Sequence, residues 1–274
     1  MSSCFRDHRT AVSRIIILIA SMLTFSSIAL AEGATFYVAK WGDDSNSCEY
    51  SQYEGFARLS IDAGIACLSG GDTLIIGDGE YEEQINDTIP SGSYGVPTVI
   101  RAANRHGVVV RPHGLTWGFI GVFTIINRSN IVIDGIDADA SYVEQPYYVL
   151  EGSANIVVQN GIARGGQGKW GSGVELRDAW GNQVLNMDIF YNGIGKGAHG
   201  IYVSGSYNLL QGNRVFYNSG YGIHVYGWGA AYNVIVGNLV FGNTWGSAYI
   251  EPYQGNEFFD NLLYDNGELE LTGL

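Results

Sequence analysis

One asparagine recurs about every 25 residues along this chain, and this repeat limits the possible folds more than any other feature. The stretches that begin at His199 and Gly222 are the most alike, because each contains Asn, four mostly apolar residues, Asn, a short apolar segment and Asn. A period of this length indicates a solenoid, a propeller or an array. The copies lie at intervals of 25, 27, 26, 25 and 23 residues, and they are Asn130, Asn155, Asn182, Asn208, Asn233 and Asn256.

Two further columns follow the first asparagine. The column five residues later holds Gly135, Asn160, Met187, Asn213, Asn238 and Asn261, and the column ten residues later holds Ala140, Gly165, Asn192, Asn218, Asn243 and Asn266. Short runs of Val, Ile, Leu and Phe lie between these positions and alternate with Gly, Asn and Ser, which is typical of strands and turns. The pattern predicts an all-β fold, a right-handed parallel β-helix of roughly 22–27 residues per turn.

The asparagines have a structural role in this interpretation. Asn tolerates the left-handed backbone conformation of a tight corner, and its amide both donates and accepts hydrogen bonds. Copies stacked at the strand spacing of roughly 4.8 Å would bond to one another as a ladder. We therefore predict that they hold the turns together rather than contact a ligand.

The N-terminal residues have the pattern of a secretory signal peptide. Three arginines precede the apolar run 15–23, and Ala29-Leu30-Ala31 is a small-residue cleavage site. Residues 1–31 are therefore predicted to be removed, which makes the protein secreted, either extracellular or periplasmic, with no membrane span in the mature chain. Cys48 and Cys67 remain as an even pair, which predicts one disulfide; two buried free thiols are the alternative.

The charge of the mature chain limits its partners. Residues 1–31 carry three Arg and one Asp, so 11 basic and 26 acidic residues remain. Such a surface repels nucleic acid and anionic membranes. An acidic polysaccharide would need either a local cationic strip or a bridging divalent cation such as calcium. No metal site is predicted, because Asp134, Asp137 and Asp139 do not have the spacing of a calcium loop.

The chain is predicted to begin with an atypical cap. Residues 32–70 contain an opening strand, a polar loop and one amphipathic helix over 61–68, and residues 71–274 form the β-helix. No comparable cap follows the last repeat. We therefore expect the solenoid to be incomplete at its C-terminus, either as a fragment of a longer protein or with that end covered by a partner or by self-stacking. The expected state is a monomer or part of a longer chain.

Two stretches carry a resemblance to a known superfamily. The segment that runs from Thr35-Phe36-Tyr37-Val38-Ala39 to Gly79-Glu80-Tyr81, and the repeat that begins at His199, resemble secreted bacterial right-handed β-helix proteins of the pectate-lyase-like superfamily. The resemblance covers nearly all of residues 35–267. It implies the fold but no single activity, because the superfamily includes lyases, epimerases, hydrolases and adhesins. The motifs of pectate lyases and polygalacturonases are absent, which disfavours those two activities.

Aligning the strands before each asparagine predicts one unusual face. Ile125, Leu150, Leu176, Val203 and Val225 form the inward column. The two outward columns are Thr124, Val149, Glu175, Tyr202 and His224, and Glu151, Arg177, Ser204 and Tyr226. Lys169, Trp170, Lys196 and His199 lie just upstream. Five groups on this face can carry positive charge, and its aromatic rings suit sugar rings.

We therefore predict that this face binds a carbohydrate, and that the protein, if it is an enzyme, is a polysaccharide lyase or a C5-epimerase acting on a uronate polymer. Both reactions remove the proton next to a carboxylate. Lys196 or His199 would be the base, Arg177 or Lys169 the cationic stabiliser and Tyr202 the acid. Substrate contacts would come from Lys169, Trp170, Glu151, Glu175, His224 and Tyr226.

Two alternatives remain open. Glu151 and Glu175 lie one turn and two positions apart, roughly 8 Å by the strand spacings, which suits an inverting glycoside hydrolase. The other alternative is a non-catalytic carbohydrate-binding or cell-surface scaffold protein. In that case Glu151 and Arg177 form only an ion pair between turns, and the exposed Tyr and His side chains line a solvated sheet.

Overall fold

A computed structural model of the chain describes residues 33–114, 121–149, 152–251 and 255–267. Its strands form three parallel sheets that wind together as a right-handed solenoid of about seven turns. Every pairing between two of these strands is parallel and joins strands from consecutive turns. The fold class predicted from the asparagine period is confirmed.

The strands are numbered β1 to β24 in chain order. Sheet 1 contains β1 (Thr35–Val38), β2 (Thr73–Ile76), β5 (Thr98–Ala102), β8 (Ser129–Asp134), β11 (Ala154–Gln159), β14 (Gln183–Leu185), β17 (Leu209–Gln211), β20 (Val234–Val236) and β23 (Glu257–Phe259). Sheet 2 contains β3 (Gly79–Tyr81), β6 (Val108–Val110), β9 (Ile136–Asp139), β12 (Ile162–Arg164), β15 (Asp188–Phe190), β18 (Arg214–Phe216), β21 (Leu239–Phe241) and β24 (Leu262–Tyr264). Sheet 3 contains β4 (Ile85–Asn86), β7 (Gly121–Ile125), β10 (Gln145–Val149), β13 (Val174–Leu176), β16 (Ile201–Val203), β19 (Tyr221–Val225) and β22 (Gly246–Ile250).

The core is made of apolar side chains that repeat from turn to turn. In sheet 1 one inward column is fully or almost fully buried, and it consists of Leu74, Ile100, Ile133, Val158, Val184, Leu210 and Ile235. Burying a side chain of this size contributes about 1.5–3 kcal/mol. The short strands are therefore stabilised both by packing of their side chains against the neighbouring turns and by backbone hydrogen bonds to the strands of those turns.

The N-terminal region contains the helical segments of the described chain. These are two 3₁₀ turns (Tyr50–Gln52 and Glu54–Phe56) and helix α1 (Ile61–Ile65). Ser60 caps α1 by accepting the N–H of Ala63 at 3.2 Å. Strand β1 pairs with β2 and so extends sheet 1. The predicted disulfide between Cys48 and Cys67 is confirmed.

Three asparagine ladders run along the corners of the solenoid. Their members are Asn182, Asn208, Asn233 and Asn256; Asn213, Asn238 and Asn261; and Asn192, Asn218, Asn243 and Asn266. In each ladder the side-chain Nδ2 donates to the Oδ1 of the next turn at 2.9–3.1 Å. The same Oδ1 also accepts a backbone N–H, as Asn233 does from Asn208 at 2.9 Å. The predicted structural role follows from these bonds.

The predicted ladder is wrong at its first two members. Asn155 bonds to Asn130 at 3.3 Å, but the residue that lies level with Asn182 is Ile156, whose N–H donates to Asn182 Oδ1 at 3.0 Å. Asn130 and Asn155 therefore lie one position before the ladder. These two do have a left-handed backbone, with φ of 56° and 55°.

The left-handed corner also differs from the prediction. At the true ladder positions the left-handed residue is the one before the asparagine, for example Tyr207 before Asn208 and Tyr232 before Asn233, with φ of 58° and 57°. The preceding residue makes the bend, and the asparagine itself is free to direct its amide into the ladder.

None of the helices in the described residues has the length and apolar character that crossing a membrane requires.

Candidate functional site

The outward face of sheet 3 carries one column of chemically active side chains, which we call the outer column. Its members lie level with one another in consecutive turns, and they are Thr124, Tyr148, Glu175, Tyr202, His224 and Tyr249. Consecutive members are therefore separated by about one strand spacing, roughly 4.8 Å. Four of the residues predicted for this column share it as expected, and they are Thr124, Glu175, Tyr202 and His224.

The prediction for strand β10 is wrong by one position. Val149 is buried and lies level with Ile125 and Leu176 in the inward column, so Tyr148 takes the outward place. The connection from sheet 3 to sheet 1 changes in length between turns, and counting back from the asparagines therefore misses this register. Leu150 and Glu151, which were predicted for the inward and outward columns, lie outside the described residues.

Glu175 is the most unusual member of the outer column. The residue is 1% exposed although it is on an outward position, and its carboxylate forms an ion pair with Arg177. Burial raises the pKa of Glu175 to about 7, and Arg177 opposes this rise only in part. Neither carboxylate oxygen accepts a well-directed hydrogen bond from the described residues. A buried carboxylate with this little compensation is costly for the fold.

Two further polar residues surround Glu175, and the sequence interpretation missed both. Gln145 is fully buried, and its side-chain amide lies beside the Glu175 carboxylate, where it opposes the rise in the pKa of Glu175. Burial raises the pKa of Glu144, and the charge of Glu144 contributes to the raised pKa of Glu175. Both residues lie at the start of β10 or just before it, where the sequence shows no repeat that would reveal their orientation.

Arg177 is the accessible group of this cluster. Its side chain is 37% exposed, and its guanidinium lies 5.8 Å from the centre of the Tyr148 ring. Burial opposes protonation of Arg177, but the charge of Glu175 raises the pKa of Arg177 above its ordinary value. Arg177 is thus a cation that is paired with the Glu175 carboxylate and remains partly exposed.

His199 and His224 form a hydrogen-bonded pair. The Nε2 of His199 lies 2.8 Å from the Nδ1 of His224, and the backbone N–H of Tyr221 donates to the Nδ1 of His199 at 3.0 Å. Burial lowers the pKa of His199 well below its ordinary value and that of His224 to about 4. Both rings are neutral near pH 7. The prediction that they add positive charge to the face is therefore wrong, since their burial was not visible in the sequence.

Tyrosines surround the exposed side of this pair. The ring centres of Tyr202, Tyr226 and Tyr249 lie 5.5, 5.3 and 5.1 Å from the centre of the His224 ring. Burial raises the pKa of Tyr202, so its hydroxyl stays protonated at neutral pH. Tyr226 is exposed on this face as predicted, whereas Tyr249 continues the outer column and was missed.

A loop edge next to sheet 3 carries the exposed indoles and lysines. Lys169, Trp170 and Lys196 are exposed, and the Nζ of Lys196 lies 5.1 Å from the ring centre of Trp245. The Trp170 ring packs against Gly197, where an added Cβ would lie 2.2 Å from a ring carbon. Trp245 was missed, although it occupies the equivalent loop two turns beyond that of Lys196.

The acidic cluster predicted to be unsuited to calcium is occupied by protein partners. Asp134 accepts from Asn160 at 2.7 Å, and Asp137 lies 2.8 Å from a ring nitrogen of His106. Asp139 accepts from Arg111 at 3.0 Å and from Arg164. Throughout the described ranges, no group of three His, Cys, Asp or Glu side chains is placed to hold a metal ion.

Comparison with a solved pectate lyase supports the fold. A pectate lyase, Pel9A, superposes with a TM-score of 0.64 at 18% identity, over 83% of this chain and 62% of its own. The A-module of the Azotobacter vinelandii mannuronan C-5 epimerase AlgE4 gives a TM-score of 0.49 at 14% identity, over 76% of this chain and 69% of its own. This chain thus spans less than two thirds of the length of the pectate lyase.

Sequence comparison gives the family. No curated protein sequence matches the chain. The sequence model of the family described as "Right handed beta helix region" matches residues 100–266, which is more than half of the chain. Its span includes the asparagine ladders and the outer column. The chain therefore belongs to the right-handed β-helix family.

Proposed function

We propose that the outward face of sheet 3 binds an acidic polysaccharide, and that the protein acts on it as a lyase or a C5-epimerase. The observation that carries this proposal is Arg177, a half-exposed cation seated on the buried carboxylate of Glu175 in a chain of strongly acidic composition. A local cation on such a surface is what recognition of a uronate carboxylate requires. The fold neighbours are compatible with this substrate class.

Arg177 would receive the carboxylate of the sugar, and Glu175 would position it. A guanidinium can bind a carboxylate through two parallel hydrogen bonds, which fixes the orientation of the sugar. Near neutral pH Glu175 is partly protonated, because its pKa is raised to about 7. Protonation of Glu175 weakens its ion pair with Arg177 and so favours binding of a substrate carboxylate by Arg177. The exposed rings of Trp170 and Trp245 would hold neighbouring sugars by stacking.

Lys196 is the base that we propose for the reaction. Lys196 is exposed at the loop edge, whereas His199 is 4% exposed and has both ring nitrogens engaged. The Lys196 amine would take the C5 proton, and the electron pair would move into the carboxyl group as an enediolate that Arg177 stabilises. In elimination the electron pair then forms the C4=C5 double bond as the C4–O4 bond breaks, and the Tyr202 hydroxyl protonates O4. In epimerisation the C4–O4 bond stays intact, and a proton from solvent is delivered to the opposite face of C5.

The test is a screen of the purified protein against alginate, pectate and glycosaminoglycans, with and without calcium. Elimination is followed by the absorbance of the unsaturated product, and epimerisation by exchange of the C5 proton with solvent. We expect Arg177→Ala to lower turnover about 100-fold or more, because it removes the charge that stabilises the enediolate. The matched control is Arg214→Ala on sheet 2, which should turn over normally.

A non-catalytic carbohydrate-binding protein is the second candidate. It is favoured by the exposed indoles of Trp170 and Trp245, which provide affinity for sugar rings without any chemistry. Binding that is lost in Arg177→Ala, together with no turnover of any uronate polymer by the wild type, would establish this alternative. Hydrolysis by an inverting mechanism would instead release reducing ends without an unsaturated product.

We further propose that the protein is exported, with residues 1–31 as signal peptide, 32–70 as cap and 71–274 as β-helix. The disulfide between Cys48 and Cys67 supports an oxidising compartment. N-terminal sequencing of the protein recovered from culture medium or periplasm tests this, and the expected first residue is near Glu32.

A further inference from the structure

The hydrogen bonds of the histidine pair determine where its protons lie. A backbone N–H can only donate, so the Nδ1 of His199 must accept the hydrogen bond from Tyr221 and carries no proton. A neutral His199 then has its proton on Nε2. This Nε2 lies 2.8 Å from the Nδ1 of His224, a distance at which one of the two nitrogens must donate. Since His199 Nε2 bears the proton, His224 Nδ1 accepts it.

The consequence falls on the second nitrogen of His224. A neutral His224 that accepts at Nδ1 carries its own proton on Nε2. This nitrogen makes no hydrogen bond within the described residues, and the centres of the Tyr202, Tyr226 and Tyr249 rings lie 5.1–5.5 Å from the centre of the His224 ring. A chain of two hydrogen bonds, which starts at a backbone amide, thus ends in one directed N–H donor.

We propose that His199 is a positioning residue that fixes His224 as a neutral hydrogen-bond donor, whose Nε2–H contacts an oxygen of the bound sugar. The identity of the ligand rests on the proposed function. The role differs from that of the base or cation first predicted for these residues. A neutral N–H donor can bind a hydroxyl, ring or carboxylate oxygen. His224 would therefore select for the position of an oxygen on the sugar, whereas Arg177 would select for its negative charge.

The same geometry explains why the pair lies in two consecutive turns. His199 is held from the neighbouring turn by Tyr221, and its own backbone N–H donates to Ser172 Oγ at 3.3 Å in the turn before. The ring centres of His199 and His224 lie 4.2 Å apart. The position and rotation of His224 are therefore set by its neighbour in the solenoid rather than by a flexible loop.

Nitrogen NMR of the full-length protein, labelled at histidine, tests this assignment near pH 7. We expect His224 to be protonated at Nε2 and unprotonated at Nδ1, with at least tenfold preference for this tautomer. His199→Gln keeps an acceptor for Tyr221 and an N–H donor for His224, and should preserve the tautomer. His199→Leu has neither and should give a mixture of tautomers, an effect that a purely space-filling role would not produce.

A proton on Nδ1 of His224 in the wild type, or a charged His224 at this pH, would overturn the proposal. So would an unchanged tautomer in His199→Leu. If His199→Leu does not fold, the wild type and His199→Gln still test the proposal. Loss of the Nε2-protonated tautomer of His224 in His199→Gln would also contradict the role of His199.

A second arm separates this inference from the proposed function. Tetrasaccharides of mannuronate and of galacturonate are added to the labelled wild type. A shift of the His224 Nε2 resonance supports the donor role, whereas shifts of other residues with His224 unchanged overturn it. A protein that binds neither sugar contradicts the proposed function and the target of the donor, while a wrong tautomer contradicts the role of His199.

Discussion

The asparagine ladders and the surroundings of Glu175 on sheet 3 both bury polar side chains, but they differ in how well hydrogen bonds compensate for that burial. Each interior ladder asparagine donates and accepts along the stack, and Asn208 also donates to the carbonyl of Ala179. The buried Glu175 carboxylate is paired with Arg177 and adjoined by Gln145, but these partners do not offset its burial, which raises its pKa to about 7. Satisfied buried groups stabilise a fold, whereas unsatisfied ones cost stability and are retained where a ligand or a reaction needs them.

The largest expected effect lies in the ladder. Asn208→Ala removes the acceptor for both the Nδ2 and the N–H of Asn182, and it also removes the donor to Asn233. Each buried group left without a partner costs about 1–3 kcal/mol, so we expect a loss of about 4 kcal/mol in the free energy of unfolding. Urea unfolding measures it.

The control for the ladder variant is Gln211→Ala, an exposed position on the next strand of the same turn. This change should stay within about 0.5 kcal/mol. Equal effects of the two substitutions would contradict the structural role of the ladder.

A substitution of the buried polar residue Glu175 in the outer column should raise the free energy of unfolding rather than lower it. Because the pKa of Glu175 is raised, its protonated form stabilises the fold fully below about pH 4.5, and this contribution is lost as the pH rises through about 7. Glu175→Gln removes that loss, so its stability relative to the wild type should increase by about 3 kcal/mol between pH 4.5 and 7.5. Urea unfolding at several pH values measures this difference.

The histidine pair provides an internal check on the pH experiment. Its pKa values are lowered, so its contribution is present above about pH 6.5 and is lost as the pH falls towards about 4. Both proteins contain the pair, and its effect therefore cancels in their difference. A difference between Glu175→Gln and the wild type that does not change with pH would show that Glu175 is not the buried acid described here.

The ionisation of Glu175 should also affect the affinity for a ligand, by a smaller free energy than it affects stability. Ionised Glu175 competes with a uronate for Arg177, so the affinity for a uronate oligosaccharide should fall about tenfold as the pH rises from 6 to 8. In Glu175→Gln the affinity should stay nearly constant over this range. Isothermal titration calorimetry measures both proteins, and parallel profiles would contradict the competition.

The smallest effect is expected on sheet 2. Arg214 forms an ion pair with Asp188 at 2.7 Å, but its side chain is 57% exposed. Arg214→Ala should change the free energy of unfolding by about 1 kcal/mol or less, because exposed ion pairs contribute little. Its thermal unfolding profile should match that of the wild type closely. A large loss would show that the outward faces of sheets 2 and 3 do not differ as proposed.

The sequence period predicted the fold because each turn repeats one solution to burying backbone and apolar side chains. The inward column through Leu176, Val203 and Val225 could be read from the sequence for the same reason. The predicted register was wrong by one position at Tyr148 and Val149, because the connection from this strand to the next sheet differs in length from those of the other turns. A period gives the average spacing of the turns, and it does not give the length of one particular connection.

The candidate site was predictable in its location but only in part in its chemistry. The sequence indicated which residues share the face of Arg177, Tyr202 and His224, because strand alternation is local. The neutral state of the histidines and the raised pKa of Glu175 depend on burial by side chains from neighbouring turns. Gln145 became evident only through its buried position beside Glu175 in three dimensions.

The pKa of Glu175, measured by NMR with and without a bound uronate tetrasaccharide, tests the central claim most directly. A value of about 7 is expected in the free protein. It should rise when the sugar carboxylate occupies Arg177, because binding and protonation must favour each other to the same degree. A carboxyl that titrates near its ordinary value, or one whose pKa is unchanged by a tetrasaccharide that does bind, would contradict the assignment of this face as the uronate site.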